Sequence, residues 1–199
     1  GTPSTEITEY VQASKFAKEN NIHREWSANE KTAMESALGM SYAGKRSMVC
    51  MKHVGLNVAA DPFVNSAITG TNGGMIVVVA DDPSMHSSQN EQDSRFYGDF
   101  AMIPIFEPTN QQEAYEMAYY GFQLSEELKV PILLRITTRL AHSRAGVARM
   151  EQTAQNETKI PSDLRQFVLL PAIARKNYNG LLSNQVNMVS AAEHSKFNE

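Results

Sequence analysis

The sequence predicts an open α/β fold, a parallel sheet with helices on both faces. Two observations carry this. Apolar strand-like segments alternate with stretches of helical periodicity. The most strand-like of them, residues 75–80 (MIVVVA), is apolar at every position, as in a parallel strand covered on both sides. In such sheets ligands gather in loops beyond the carboxyl ends of the strands.

The elements follow in order. Thr2 with Pro3 is a helix start, and Ile7, Tyr10, Val11 and Ala17 recur at helical spacing up to about Asn20-Asn21. Residues 22–26 read as short and extended. Asn29 is the expected N-cap of a second helix reaching about Ala43, whose apolar residues are small: Ala33, Ala37, Gly39 and Ala43. Residues 47–51 form a short strand, and a turn follows at 52–57. Asp61-Pro62 opens a helix to about Thr69, and Thr71-Asn72-Gly73-Gly74 is a turn before the strand at 75–80. A polar loop covers 81–95, and residues 103–106 form another strand. Asn110 and Glu113 stand at capping-box spacing ahead of a helix to about Lys129. Pro131 precedes the strand at 132–136. Residues 146–199 read as an irregular or helical tail that packs on the sheet domain or leads to another domain.

Composition narrows the function classes. A chain of 199 residues that is 42% hydrophobic can bury a substantial core. Its net charge is −4 and it has no basic stripe, which gives no argument for nucleic acid. No apolar run approaches the roughly 18 residues of a membrane span. The one cysteine, Cys50, makes neither an internal disulfide nor a cluster site, and predicts a cytoplasmic setting. Opening on Gly1-Thr2-Pro3 leads us to expect further sequence upstream.

Three loops lie where chemistry is expected: 52–57, 81–95 and 137–144. Glu30, in the first turn of a helix of small residues, could be desolvated and its carboxyl raised, or could simply complement the helix dipole. Lys52 and His53 bring a cation and a titratable ring next to Gly55, or form a solvated turn. The run DDPSMHSSQNEQDSR from Asp81 to Arg95 is a long polar loop. Asp81, Asp82, His86 and Glu91 match no metal-site spacing, so we expect no metal there. Hydrogen bonding to a polar substrate fits better, with Arg95 as a bidentate carboxylate binder or a structural arginine. Arg135, Thr137, Thr138, Arg139 and His142 sit at the last strand's end, as ligand contacts or as loop caps. From the residues alone no reaction can be named.

Several segments together resemble one family. They are GTPSTEI at 1–7, WSANEK at 26–31, MKHVGLNVAADP at 51–62, VVVADDPSMHSSQNEQDSR at 77–95, LLRITTRLAHSR at 133–144 and DLRQFVLLPAIAR at 163–175. In this order they resemble the alpha subunit of the indolepyruvate ferredoxin oxidoreductases, thiamine-diphosphate-dependent 2-oxoacid:ferredoxin enzymes. The resemblance implies the pyrimidine-binding domain fold of thiamine-diphosphate enzymes over 1–145. Residues 146–199 then lead toward a diphosphate-binding domain, which would hold magnesium, and iron–sulfur clusters belong elsewhere in the full-length subunit. The implied reaction is oxidative decarboxylation of arylpyruvates to acyl-CoA, with coenzyme A as co-substrate, ferredoxin as electron acceptor, a beta subunit as partner and an oligomeric assembly. By resemblance Glu30 is the catalytic carboxyl that bonds the cofactor's pyrimidine ring. Val54, Gly55 and Leu56 support the cofactor, and Thr2, Ser87, Ser88, Gln89, Asn90 and Arg95 face the substrate. A related enzyme for a different 2-oxoacid, or a non-catalytic assembly domain of the same fold, would share these features.

Overall fold

The computed structural model describes residues 2–198. Four strands, β1 (Ser47–Lys52), β2 (Met75–Asp81), β3 (Ile105–Phe106) and β4 (Ile132–Thr137), form one sheet in the order β1-β2-β4-β3, and every pairing is parallel. β2 lies between β1 and β4 and is buried at each of its positions, as its unbroken apolar run requires.

Helices cover both faces, so the expected open parallel α/β sheet is what the chain forms. On one face Val49, Met51, Val77, Val79 and Leu133 pack beneath α3 (Glu30–Tyr42), α4 (His53–Val58) and α5 (Ala60–Thr69), which contribute Met34, Leu38, Leu56 and Phe63. On the other, Ile76, Val78, Leu134 and Ile136 meet Met117 of α7 (Gln111–Leu128), Ile7 of α1 (Thr5–Ala13) and Leu140 of α8 (Thr138–His142). The helix α9 (Pro171–Glu193) adds Leu181 and Met188 to the first core. The 146–199 segment is thus helical over much of its length and packs against the sheet's own core.

Two caps predicted from sequence form. Asn29 Oδ1 accepts from the Thr32 amide at 2.9 Å, and Asn110 Oδ1 accepts from the Glu113 amide at 3.0 Å. The returning Glu113 carboxylate takes the Thr109 amide, at 2.7 Å, one residue before the cap.

The differences have local causes. The first helix starts at Thr5 and breaks after Ala13, because the Ser14 hydroxyl accepts from the Ala17 amide at 3.2 Å and begins α2 (Lys15–Glu19). The expected turn at 52–57 is the helix α4, capped by extended Lys52 and buried through His53, Gly55 and Leu56. The polar loop gives way to α6 (Arg95–Ala101), which periodicity did not reveal. Its buried residues are Gly98 and Ala101, while Phe96 and Phe100 point outward, so its apolar stripe marks the wrong face. The strand expected at 103–106 pairs only at Ile105 and Phe106, although Pro104 still accepts from the Leu133 amide at 3.1 Å.

The amino-end edge of the sheet is tied by polar side chains. Ser125 is fully buried. Its hydroxyl donates to the Val130 carbonyl at 2.7 Å and accepts from the Met75 amide at 3.0 Å, joining the end of α7 to the start of β2. Glu126 accepts from both Arg46 Nε (2.9 Å) and Nη2 (2.8 Å), and takes Asn156 Nδ2 at 2.7 Å. The Arg46 hydrogen bonds outweigh the effect of burial and pull the Glu126 carboxyl down to about 2.

We expect Ser125→Ala to lower stability by about 1–3 kcal/mol, because the buried Met75 amide and Val130 carbonyl lose their partner. Urea titration checks this; an unchanged midpoint would refute it. The Glu126 contribution should be fully present above the ordinary glutamate value of about 4.3 and fade as pH falls toward the folded-state value. Glu126→Gln should flatten that acid limb of the stability curve.

Candidate active site at the carboxyl edge

The site is built from three segments that leave the sheet at its carboxyl edge, after β1, β2 and β4, together with the start of α3. Glu30 is the first residue of α3 and is half-buried. It is brought to the edge by α4. A Cβ added to Gly55 would lie 2.7 Å from Glu30 Cγ and 2.9 Å from Glu30 Oε1. The glycine therefore lets the carboxyl lie directly on the α4 backbone, which no other residue would allow without displacing it. Leu56 is fully buried beneath, and Val54 is half-buried beside it. Among the described residues the Glu30 carboxyl has no hydrogen-bond or ion-pair partner. A carboxyl seated in this way, without an internal partner among the described residues, is available to a hydrogen-bonding ligand.

The 82–94 loop folds around Asp82, which is buried. Asp82 Oδ2 accepts from the Ser87 amide (2.8 Å) and the Ser88 hydroxyl (2.7 Å), and Oδ1 accepts from the Thr138 hydroxyl (2.6 Å). Burial alone would raise this carboxyl, but the hydrogen bonds from Thr138, Ser87 and Ser88 prevail and hold it well below the usual carboxylate range. Two further contacts tie the loop to the end of β1. His53 is buried and its Nε2 meets the Asn90 carbonyl at 3.1 Å, which requires the proton on Nε2. Lys52 Nζ donates to the Ser87 carbonyl at 3.0 Å.

Arginines organise the rear of the site. Arg135 is buried; its Nε donates to Asp81 Oδ2 at 2.6 Å, and it also pairs with Glu107. Asp81 in turn accepts from the Ser94 amide at 3.0 Å, fixing the start of α6. Arg95 grips Asp93 through Nε (2.9 Å) and Nη2 (2.6 Å) and lies 3.7 Å from Glu107. Hydrogen bonding from Arg95 holds the Asp93 carboxyl below its ordinary value. Asp81 Oδ1, Ser94 Oγ and His53 Nδ1 are buried and have no protein partner. Among the described residues no group of His, Cys, Asp or Glu is placed to hold a metal ion, and no helix is long and apolar enough to cross a membrane.

The expected residues therefore divide. Glu30, Val54, Gly55 and Leu56 come together. Ser87 and Ser88 bond to Asp82, Asn90 gives its carbonyl to His53, and Arg95 lies against Asp93. Gln89 is exposed at the loop's tip, and Thr2 is exposed ahead of buried Ser4. Sequence reasoning passed over Asp82 as an organiser. Its signal was an acid pair following directly on a fully apolar strand.

Residues 2–178 match the family described as pyruvate flavodoxin/ferredoxin oxidoreductase, thiamine-diphosphate-binding. The chain is 48% identical over 182 residues to the indolepyruvate oxidoreductase subunit IorA of Thermococcus kodakarensis, covering 88% of this chain and 28% of that protein. It is 46% identical over 202 residues to the IorA subunit of Methanothermobacter marburgensis, covering 100% and 32%. The chain thus spans about a third or less of these relatives' length. Among solved structures, the 2-oxoglutarate:ferredoxin oxidoreductase from Magnetococcus marinus, with 2-oxoglutarate, coenzyme A and succinyl-CoA bound, superposes with a TM-score of 0.69 at 16% identity. The superposition covers 99% of this chain and 41% of that one, and shows a shared fold.

Asp82→Asn removes the charge that gathers the loop. We expect a loss of about 1–3 kcal/mol and faster amide exchange across 84–92. Because the folded-state carboxyl is depressed, the clamp should be intact above the ordinary aspartate value of about 3.9 and loosen only as pH falls below it. Unchanged exchange in the variant would show that the loop stands without Asp82.

Proposed function

This chain belongs to the thiamine-diphosphate-binding family of the pyruvate flavodoxin/ferredoxin oxidoreductases, and we propose that it supplies the pyrimidine-side half of the cofactor site in an indolepyruvate-type oxidoreductase. The complete enzyme would oxidatively decarboxylate arylpyruvates to acyl-CoA, using coenzyme A, with ferredoxin receiving the electrons. Residues 1–145 form the pyrimidine-binding unit in this reading, and 146–199 lead toward the diphosphate-binding half. That half would hold the diphosphate through magnesium. Iron–sulfur clusters elsewhere in the full-length subunit and a beta subunit complete the oligomeric assembly, which we place in the cytoplasm.

One observation carries the reading: a half-buried carboxyl with no internal partner, seated on a glycine at the sheet's carboxyl edge. The residues fit the cofactor. A ring approaching Glu30 meets an available carboxyl, with Val54, Gly55 and Leu56 as the supporting wall. When bound, thiamine diphosphate supplies the nucleophilic carbon and the electron sink for loss of carbon dioxide. Glu30 would bond the pyrimidine ring through its carboxyl and exchange a proton with it. Gln89 and Asn90 at the loop tip face the substrate, with Ser87 and Ser88 holding that tip in place. Thr2 and Arg95 contact the substrate's carboxylate, Arg95 by releasing part of its grip on Asp93. The names of the relatives at 48% and 46% identity support the indolepyruvate assignment.

In the complete two-subunit enzyme, Glu30→Gln should lower turnover by about 100-fold or more without changing the melting temperature, as expected for loss of a proton-sharing group. Gly55→Ala should act in the same direction, since its methyl would occupy the position of the Glu30 side chain. Wild-type turnover in Glu30→Gln would refute the proposal. By itself this chain should bind thiamine diphosphate weakly and show no turnover; submicromolar binding by calorimetry would contradict a site divided between two halves.

A further inference from the structure

Helix α9 carries apolar residues on two sides. One side belongs to the domain. Leu181 and Met188 are buried in the first core, Asn184 Nδ2 donates to the Leu128 carbonyl at 2.7 Å, and Gln185 Nε2 donates to the Met102 carbonyl at 3.0 Å. The other side faces solvent. Tyr178, Leu182, Val186 and Val189 are 42%, 44%, 74% and 54% exposed. Their spacing keeps them on one stripe, within about 40° of the Leu182 direction on an α-helix. The same stripe ends in a cation, Arg175, and an anion, Glu193. Both are exposed, and neither side chain has an ion-pair or hydrogen-bond partner among the described residues.

A contiguous exposed apolar stripe marks an interaction face. The order of residues along this one selects its partner. Arg175 and Glu193 each stand nine residues from position 184, and Leu182 and Val186 each stand two. A two-fold axis beside position 184 therefore brings a second α9 alongside, antiparallel, with charge and apolar surface matched together. Arg175 meets the second copy's Glu193, Leu182 meets its Val186, and Tyr178 lies within one residue of the level of its Val189. By symmetry each match occurs twice. A parallel copy would instead set Arg175 against Arg175 and Glu193 against Glu193, and like charges repel.

We propose that the outer stripe of α9 is an isologous interface, on which α9 of a second copy of this chain packs antiparallel. The contacts of Leu181, Met188, Asn184 and Gln185 fix the helix on its own domain, so the stripe is held in place before association and little is ordered by it. The apolar centre supplies the burial. The charged ends, about 27 Å apart along the helix, fix direction and register. A single helix pair is a small interface, so the dissociation constant should lie in the micromolar range. None of the six stripe residues belongs to the carboxyl-edge site, so the interface does not depend on what Glu30 binds.

Sedimentation velocity of the full 199-residue chain, from about 10 to 500 μM, reads the association. The wild type should pass from monomer to dimer across this range. Leu182→Glu places two charges in the apolar centre and should weaken the dimer about 100-fold or more. Arg175→Glu should weaken it about 3- to 10-fold at low salt, the scale of two exposed ion pairs turned to repulsion. Adding Glu193→Arg to Arg175→Glu should restore the wild-type constant within about a factor of two. These side chains point to solvent, so melting temperatures should hold; if Leu182→Glu lowers its own, the charge reversal and its rescue still decide. A chain that stays monomeric throughout overturns the inference, and so does a dimer that Leu182→Glu, stably folded, leaves intact. Failure of Glu193→Arg to rescue Arg175→Glu overturns it as well. A monomeric chain whose Leu182→Glu variant loses the beta subunit from the complete enzyme would give the stripe to that subunit instead.

Discussion

Strand β2 is buried at every position between two neighbouring strands and two helical layers, and its side chains are apolar up to Ala80. The chain's first polar side chains on this path are Asp81 and Asp82, both fully buried. An unpaired buried carboxylate is costly, and each must be matched where it stands. That requirement shapes the edge. Asp81 draws Arg135 across from β4 and pins the start of α6, and Asp82 draws Thr138 and the hydroxyls of the following loop. The loop's form thus follows from how the central strand ends.

Against this background of matched charge, the Glu30 carboxyl has no hydrogen-bond or ion-pair partner among the described residues. It is seated by α4, whose glycine takes the carboxyl. The rest of the edge, tied by Asp81 and Asp82, gives it a fixed frame.

The opposite edge is closed by different means. The irregular chain after α8 runs back along α7, from the Ala148 amide on Gln112 Oε1 at 2.8 Å to Asn156 on Glu126 at 2.7 Å. It ends at the amino edge, where the Lys159 amide reaches the Ala43 carbonyl at 2.8 Å. Tyr42 and Phe167 then stack with ring centroids 3.8 Å apart, and α9 covers the face of α5 through Leu181. These contacts stiffen the amino side and leave the carboxyl side open.

The sequence by itself determined the parallel sheet, the N-caps at Asn29 and Asn110, and the polar run that follows the central strand. These are written in local pattern: apolar runs, cap residues and polar stretches each act within a few residues of themselves. The resemblance pointed to Glu30 and Gly55 as site residues. Only the tertiary structure put one upon the other, through a contact between α3 and α4 that no spacing encodes. It likewise made the Ser87 and Ser88 hydroxyls ligands of Asp82, turned a supposed turn into α4, and hid α6 by facing its phenylalanines outward. In each case the deciding partner lies on another element. Charge pairing and close backbone approach depend on distances in space, which the linear order of residues does not record.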